Sequence, residues 1–378
     1  MRIGINLLYL LPGIVGGTET YARSLLHAFA KTSPDNDYVV FVNREAADIA
    51  LPEAPNFRRV VCPVNAQRRG ARYAWEQTVL PKYVRREAVT LLHSLGYVGP
   101  LQPGCAHAVT IHDLNYLSPE VTMKPHKRLV LGRFVESVAR RADAVITMSE
   151  FSKGEIVARL GLPAENVNVT HLAPGVRCQA ADAVTRSDRP ADGWRVDGPY
   201  IIAFGSLYQH KNIPALVRAF GRIAATVPHR LVIVGHLPED SSVGEAISNS
   251  GVASRITTTG FVSDRDVDAL LTGADLLVFP SLYEGFGLPL LDAQAAGVAV
   301  AASAAGSLPE IAGNSALLFD PRSDEDIAHA LQQCALSAEL RARLVRLGHA
   351  NVAKFSWART AAETLDVYDS VATAMVRQ

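Results

Sequence analysis

Short apolar runs alternate with longer amphipathic stretches from the first residues to Asp320, and this alternation leaves little choice of fold. A run of about five apolar residues suits a strand buried on both faces, and an amphipathic stretch between two such runs is the crossover that a parallel pair requires. Two series of this kind are present. The first predicts strands at Ile3–Leu8, Tyr38–Val42, Arg59–Cys62, Leu91–His93, Ala108–Ile111, Ala144–Thr147 and Val167–His171, with helices such as Thr18–Lys31 and Lys124–Arg141 between them. The second predicts Tyr200–Phe204, Leu231–Val234, Arg255–Thr258, Leu276–Phe279, Val298–Ala302 and Ala316–Phe319. Between them, residues 185–193 are polar, proline-bearing and without period, which reads as a linker. Past Asp320 the chain reads as helical to its end, with Ser356 capping a last helix that carries Trp357, Leu365 and Tyr368 on one face.

A length of 378 residues fits two domains, and 48% apolar with 20% charged residues is the mixture of a fully folded chain. Zero formal net charge argues against nucleic acid as a partner, although residues 1–185 carry 21 Lys/Arg against 16 Asp/Glu and the remainder reverses that balance. Four scattered cysteines without a CxxC pair suggest neither a zinc site nor a disulfide framework and fit a reducing cytosol. The sequence opens directly on a strand-like run without signal-peptide features, and no segment has the ~20 apolar residues of a membrane span.

In open parallel sheets ligands gather at the carboxyl ends of strands, so the loops there are the candidates for chemistry. The most informative is 276–292, which reads as strand, glycine-bearing loop and helix, with Pro289 in the first helical turn. Gly285 and Gly287 admit a ligand close to the backbone, while Glu284 and Asp292 bracket the site, ~12 Å apart if the spacing were wholly helical. A second loop follows Tyr200–Phe204: Gly205, Ser206, His210 and Lys211 end in a cation placed before a helix. A third, Gly13–Glu19 with Gly16 and Gly17, opens the first helix but lacks GxGxxG, and no acid ends the second strand, which disfavours a dinucleotide enzyme. His112 and Asp113 stand at the end of a strand, with Asp113 either orienting the imidazole or capping the next turn. Ser149 and Ser152 read as cap or site. Asp266 and Asp268 spell DxD, but Ser263 before them reads as a helix cap, and the spacings of His93, His112, Asp113 and His171 match no ligand pattern, so no metal is expected.

The string Glu284-Gly285-Phe286-Gly287-Leu288-Pro289-Leu290-Leu291-Asp292 resembles the E-G-F-G-x-P-x-x-E signature of family 4 nucleotide-sugar glycosyltransferases, with Asp in place of the second Glu. The resemblance implies an α/β fold of two Rossmann-like parallel-sheet domains facing across a cleft (GT-B), with a C-terminal helix crossing back to the first domain. The boundaries expected are 1–184 for an acceptor-side domain, 185–198 for the linker, 199–355 for the donor domain and 356–378 for the crossover helix. It further implies a retaining transfer in which Glu284 contacts the transferred sugar, the Gly285–Leu288 backbone holds sugar hydroxyls and phosphate, and Asp292 reaches ribose. Lys211 would stabilise the departing diphosphate. Members often carry an Arg where Ser206 or His210 stands, so the cationic clamp is reduced, and a protonated His210 would supplement it near neutral pH. Gly16 and Gly17 match the family's glycine loop near donor phosphates and acceptor. His112 would lie beside the transferred sugar, with Asp113 and Ser149 on the acceptor side.

The G-x-L-x-x-x-K-N form of the loop from Gly205 to Asn212, with the W-E-Q and H-D-L segments, looks most like bacterial mannosyl- or deoxyhexosyl-transferases, which makes GDP-mannose or a relative the expected donor. The nucleotide-diphosphate sugar is then a co-substrate and no cofactor is expected. The acceptor would be a glycan, a lipid-linked molecule or a small molecule bearing a hydroxyl. The basic tract Arg68–Arg86, with Arg72, Trp75, Glu76 and Gln77, reads as a solvated helix face or as a peripheral contact with anionic lipid, which would bring a cytoplasmic enzyme to the inner face of the membrane. A nucleotide-sugar hydrolase or epimerase and a non-catalytic binding module remain as alternatives.

Overall fold

The computed structural model describes residues 1–14, 16–121, 123–175 and 196–376. The linker expected at 185–198 lies, up to residue 195, outside them. The chain divides into two compact units, one of residues 1–117, 123–172 and 356–378, the other of residues 118–122 and 173–355.

The first unit contains β1 (Arg2–Leu7), β2 (Asp37–Val42), β3 (Phe57–Val61), β4 (Leu91–Ser94), β5 (Ala106–Thr110), β6 (Ala144–Thr147) and β7 (Val167–Val169). They pair throughout in parallel, in the order β3-β2-β1-β4-β5-β6-β7. Its helices are α1 (Gly17–Thr32), α2 (Arg69–Thr78), α3 (Leu80–Arg86), α4 (Pro125–Arg141) and α5 (Glu150–Leu160). The second unit contains β8 (Tyr200–Phe204), β9 (Arg230–Val234), β10 (Ile256–Thr258), β11 (Leu276–Phe279), β12 (Ala299–Ser303) and β13 (Leu317–Phe319), again parallel, in the order β10-β9-β8-β11-β12-β13. Its helices are α6 (Ile213–Ile223), α7 (Ser242–Ser248), α8 (Asp264–Gly273), α9 (Leu288–Ala295), α10 (Leu308–Ala312), α11 (Asp324–Leu336) and α12 (Ala338–Val352). The last helix, α13 (Trp357–Val376), belongs to the first unit.

Both sheets are Rossmann-like, and the predicted strands appear with ends shifted by at most two residues. The tract expected as one helix over Arg68–Arg86 is two, because Pro81 has no N–H with which to continue α2; the chain restarts from Val79, whose carbonyl accepts from Lys82 and Tyr83. Arg72 and Glu76 on α2 are buried rather than solvated.

Helix α13 buries Trp357, Ala361, Thr364, Tyr368 and Val371, a spacing of three and four that lays one stripe against the first unit. Ser356 caps its start, the Oγ accepting from Arg359 N at 3.2 Å. Beneath the stripe, His93 on β4 is held at both ring nitrogens, Nδ1 by the Tyr368 hydroxyl at 2.6 Å and Nε2 by Thr110 Oγ1 at 2.8 Å, and Thr110 meets the Tyr21 hydroxyl at 3.2 Å. Burial, with the neighbouring His107 and His112, pushes His93 down to about 3, so it is a neutral bridge between helix and sheet. Tyr368→Phe strands one imidazole nitrogen in a dry site. The expected loss is about 1–3 kcal/mol in urea unfolding. A wild-type midpoint would mean that this bridge contributes nothing.

Candidate active site

Strand order in the second sheet reverses between β8 and β11, which run side by side with Leu276 opposite Ile201. At such a reversal the following loops turn to opposite faces of the sheet and leave a crevice at the strand ends. The loop after β8 carries Lys211 and the loop after β11 carries Glu284. Their side chains meet there, Lys211 Nζ donating to Glu284 Oε1 at 2.6 Å, with 24% and 14% of each side chain exposed. The ammonium also lies 5.5 Å from the centre of the Phe279 ring.

Backbone contacts hold the two loops together. Leu282 N donates to His210 O at 2.7 Å, and Asn212 Nδ2 donates to Pro280 O at 3.2 Å and Pro321 O at 2.7 Å. Asn212 does this from a left-handed conformation, φ 55°, which Asn tolerates better than most residues. The main chain of Glu284 is fixed from a third side, where Ser307 donates to its carbonyl through both N and Oγ at 3.1 Å. Gly306 makes that approach possible: at φ +62°, a Cβ there would lie 2.6 Å from Glu284 O. Sequence reading missed Asn212, Gly306 and Ser307. Only the K-N string hinted at the first.

Gly285, Phe286, Gly287 and Leu288 lead from Glu284 into α9, with Gly287 as its N-cap at φ 100° and Phe286 buried edge-on to Phe355. Asp292 is one turn into α9, and the spacing from Glu284 is not wholly helical, because the helix begins only at Leu288. Its Oδ1 accepts from Gly175 N at 2.8 Å, so this carboxylate already holds the stretch that precedes residue 176. Gly205 closes β8 by donating to Val234 O at 2.8 Å, and Ser206 Oγ accepts from Tyr208 N at 3.4 Å.

His210 departs from expectation. It is buried and stacked on Tyr208 at 5.6 Å, and burial together with the Lys211 ammonium holds it below its ordinary value against the opposing pull of Glu284 and Glu120. It is therefore neutral at neutral pH and adds no second cation. Glu120 belongs to the second unit and accepts from Arg322 Nη2 at 2.9 Å.

In the first unit, Gly16 at φ 57° and Gly17 open α1, and Gly13 N donates to Glu19 Oε2 at 2.7 Å. His112 lies two residues past β5, its Nε2 against Leu95 O at 3.1 Å, between the rings of Tyr21 and Tyr97. Burial lowers it to about 4, so it serves as a neutral hydrogen-bonding group. Asp113 accepts from the Tyr97 hydroxyl at 2.8 Å and from Asn115 N at 3.1 Å, which is the turn-capping geometry. Ser149 Oγ caps α5 by accepting from Ser152 N at 3.1 Å. Ser263 likewise caps α8, accepting from Asp266 N at 3.2 Å, so the DxD letters lie within a helix, Asp266 in its first turn. Among the described residues, no three His, Cys, Asp or Glu side chains are grouped to hold a metal ion.

The fold and the strand-end pairing of acid and cation define a two-unit α/β protein of the GT-B kind. A sucrose-phosphate synthase from Thermosynechococcus elongatus superposes with TM-score 0.74 at 20% identity, covering 99% of this chain and 100% of that one. The O-antigen chain mannosyltransferase B of Escherichia coli is 30% identical over 68% of this chain and 69% of its own length. The serotype-specific mannosyltransferase WbdA of Escherichia coli is 30% identical over 58% of this chain, a match that spans only 28% of that protein. Residues 15–173 match the model for Glycosyltransferase Family 4 and residues 184–349 that for Glycosyl transferases group 1. The chain belongs to glycosyltransferase family 4.

Proposed function

We propose that this glycosyltransferase is a retaining enzyme that moves a hexose or deoxyhexose from a nucleotide-diphosphate sugar, with GDP-mannose or a relative as donor, to a hydroxyl of a glycan, lipid-linked or small-molecule acceptor. The observation that carries the reading is the Lys211–Glu284 pair at the strand reversal of the second sheet. A diphosphate leaving group gathers negative charge as the glycosidic bond breaks, and a fixed ammonium in a partly dry site stabilises it there. Glu284 then exchanges its contact with Lys211 for the hydroxyls of the transferred sugar. The backbone of Gly285–Leu288 and the loop that follows Gly205 at Ser206 face donor oxygens in this reading, and Asp292 positions Gly175 while facing the ribose directly or through water.

Retention follows in this reading from attack on the face that the diphosphate leaves, assisted by the departing phosphate. The first unit selects the acceptor, with neutral His112 as a hydrogen-bonding group rather than a cation. The names of the mannosyltransferase relatives support the choice of sugar. No metal or cofactor enters the scheme, and the enzyme works in the cytoplasm. Among the described residues no helix is long and apolar enough to cross a membrane.

A thermal-shift titration with GDP, UDP, dTDP and ADP and their common sugars tests the donor. Ligand at 100 times its Kd stabilises by ~2.7 kcal/mol, and GDP and GDP-mannose are expected to give the largest shifts. A preference for another base would replace the donor named here, and silence from a folded sample would remove the nucleotide site.

A further inference from the structure

Helix α4 turns Val135, Val138 and Ala139 into the first unit and leaves a stripe of His126, Leu129, Val130, Arg133 and Arg140 outside. Leu129 and Val130 are 58% and 65% exposed, neighbours on one helix face. Between 124 and 141 there are six Lys/Arg and one acid, Glu136, which is already paired with Arg140. Beside the stripe, Val130, Arg133, Phe134 and Ser137 of α4 and Tyr73, Ala74 and Gln77 of α2 line a groove of about 450 Å³, apolar apart from a cationic rim. Residues 68–87, which supply the other wall of that groove, add five exposed Lys/Arg, whereas Arg72 is buried beside Glu76.

We infer that this face of the first unit docks on an anionic lipid bilayer, with Leu129 and Val130 entering the headgroup boundary and the groove taking part of a lipid chain. An apolar pair ringed by cations is what a helix lying in an interface presents, whereas a merely solvated face has no reason to expose adjacent Leu and Val. Charge complementarity selects the lipid, since each Lys or Arg near an anionic surface strengthens attachment about fivefold. The inference deepens the proposed function by bringing the enzyme to lipid-linked acceptors, and it relocates the contact expected on Arg68–Arg86 mainly to α4.

The test is co-sedimentation of the full chain with vesicles of phosphatidylcholine alone and of phosphatidylcholine mixed with phosphatidylglycerol, with GDP affinity measured on the same samples. Binding is expected only with phosphatidylglycerol, weakening as salt rises, and about tenfold weaker in Leu129→Ser/Val130→Ser. Leu336→Ser, an exposed leucine of the second unit, is expected to bind as wild type. No binding to the mixed vesicles, equal binding to both kinds, or binding indifferent to the double substitution would each overturn the inference. GDP binding that persists in those cases leaves the proposed function standing, and its loss in every sample would count against that function separately.

Discussion

Lys211→Ala is expected to lower transfer by about a hundredfold to a thousandfold, the usual consequence of removing a fixed group that stabilises developing charge, while the protein stays folded. Glu284→Gln is expected to lose transfer on a similar scale, but the two variants should part company when a bare nucleoside diphosphate is bound. In the free protein the Glu284 carboxylate holds the Lys211 ammonium at 2.6 Å and competes with a diphosphate for it. Removing the lysine therefore weakens diphosphate binding, whereas neutralising the glutamate leaves it equal or tighter. Single-turnover assays and calorimetric titration with the diphosphate read both effects. Near-normal turnover in either variant removes the role given to that residue, and parallel weakening of binding in both would mean that the pair serves structure alone.

Acidification is expected to destabilise the first unit by on the order of 5 kcal/mol between pH ~6.5 and ~4.5. Burial lowers His93 to about 3 and His107 and His112 to about 4, so each stays unprotonated in the fold after its unfolded counterpart has taken up a proton. Their stabilisation is present above the unfolded value and is lost as pH falls toward the folded ones. Glu76 works in the opposite direction: burial raises it to about 8, so the fold keeps a proton that the unfolded chain releases. The net is about two more protons on the unfolded chain, each worth ~1.4 kcal/mol per pH unit. Hydrogen exchange of the β4, β5 and β6 amides across that range gives the measurement. Protection that does not change with pH would show that these histidines are hydrated enough to titrate in place.

The parallel sheets were legible because a strand covered on both faces needs an unbroken apolar run, and those runs survive in the sequence whatever packs on them. Strand ends drifted because the last residues of a strand are decided by pairing, as when Ile111 N reaches Ile146 O just beyond β5. Lys211 and Glu284 could be picked out from the loops that follow β8 and β11, yet their distance depends on sheet order, which no local pattern states. Nothing local shows His210 to be neutral, because its burial comes from residues distant in sequence. The partners of Asn212 and of the Gly306–Ser307 turn were hidden for the same reason, since each acts on backbone groups some twenty to over a hundred positions away.

The first unit is split along the chain, its last helix being separated from Leu172 by the whole second unit. A ribosome adding ~5–20 residues per second needs roughly 10–40 s to cross that interval. During it the seven-stranded sheet exists without α13, and His93 waits beside an open apolar surface for Tyr368. The second unit has no such wait, as its six strands emerge consecutively. A nascent chain stalled before residue 356 would thus present the apolar face that α13 covers, which makes the interval before release the time when this protein most needs a chaperone.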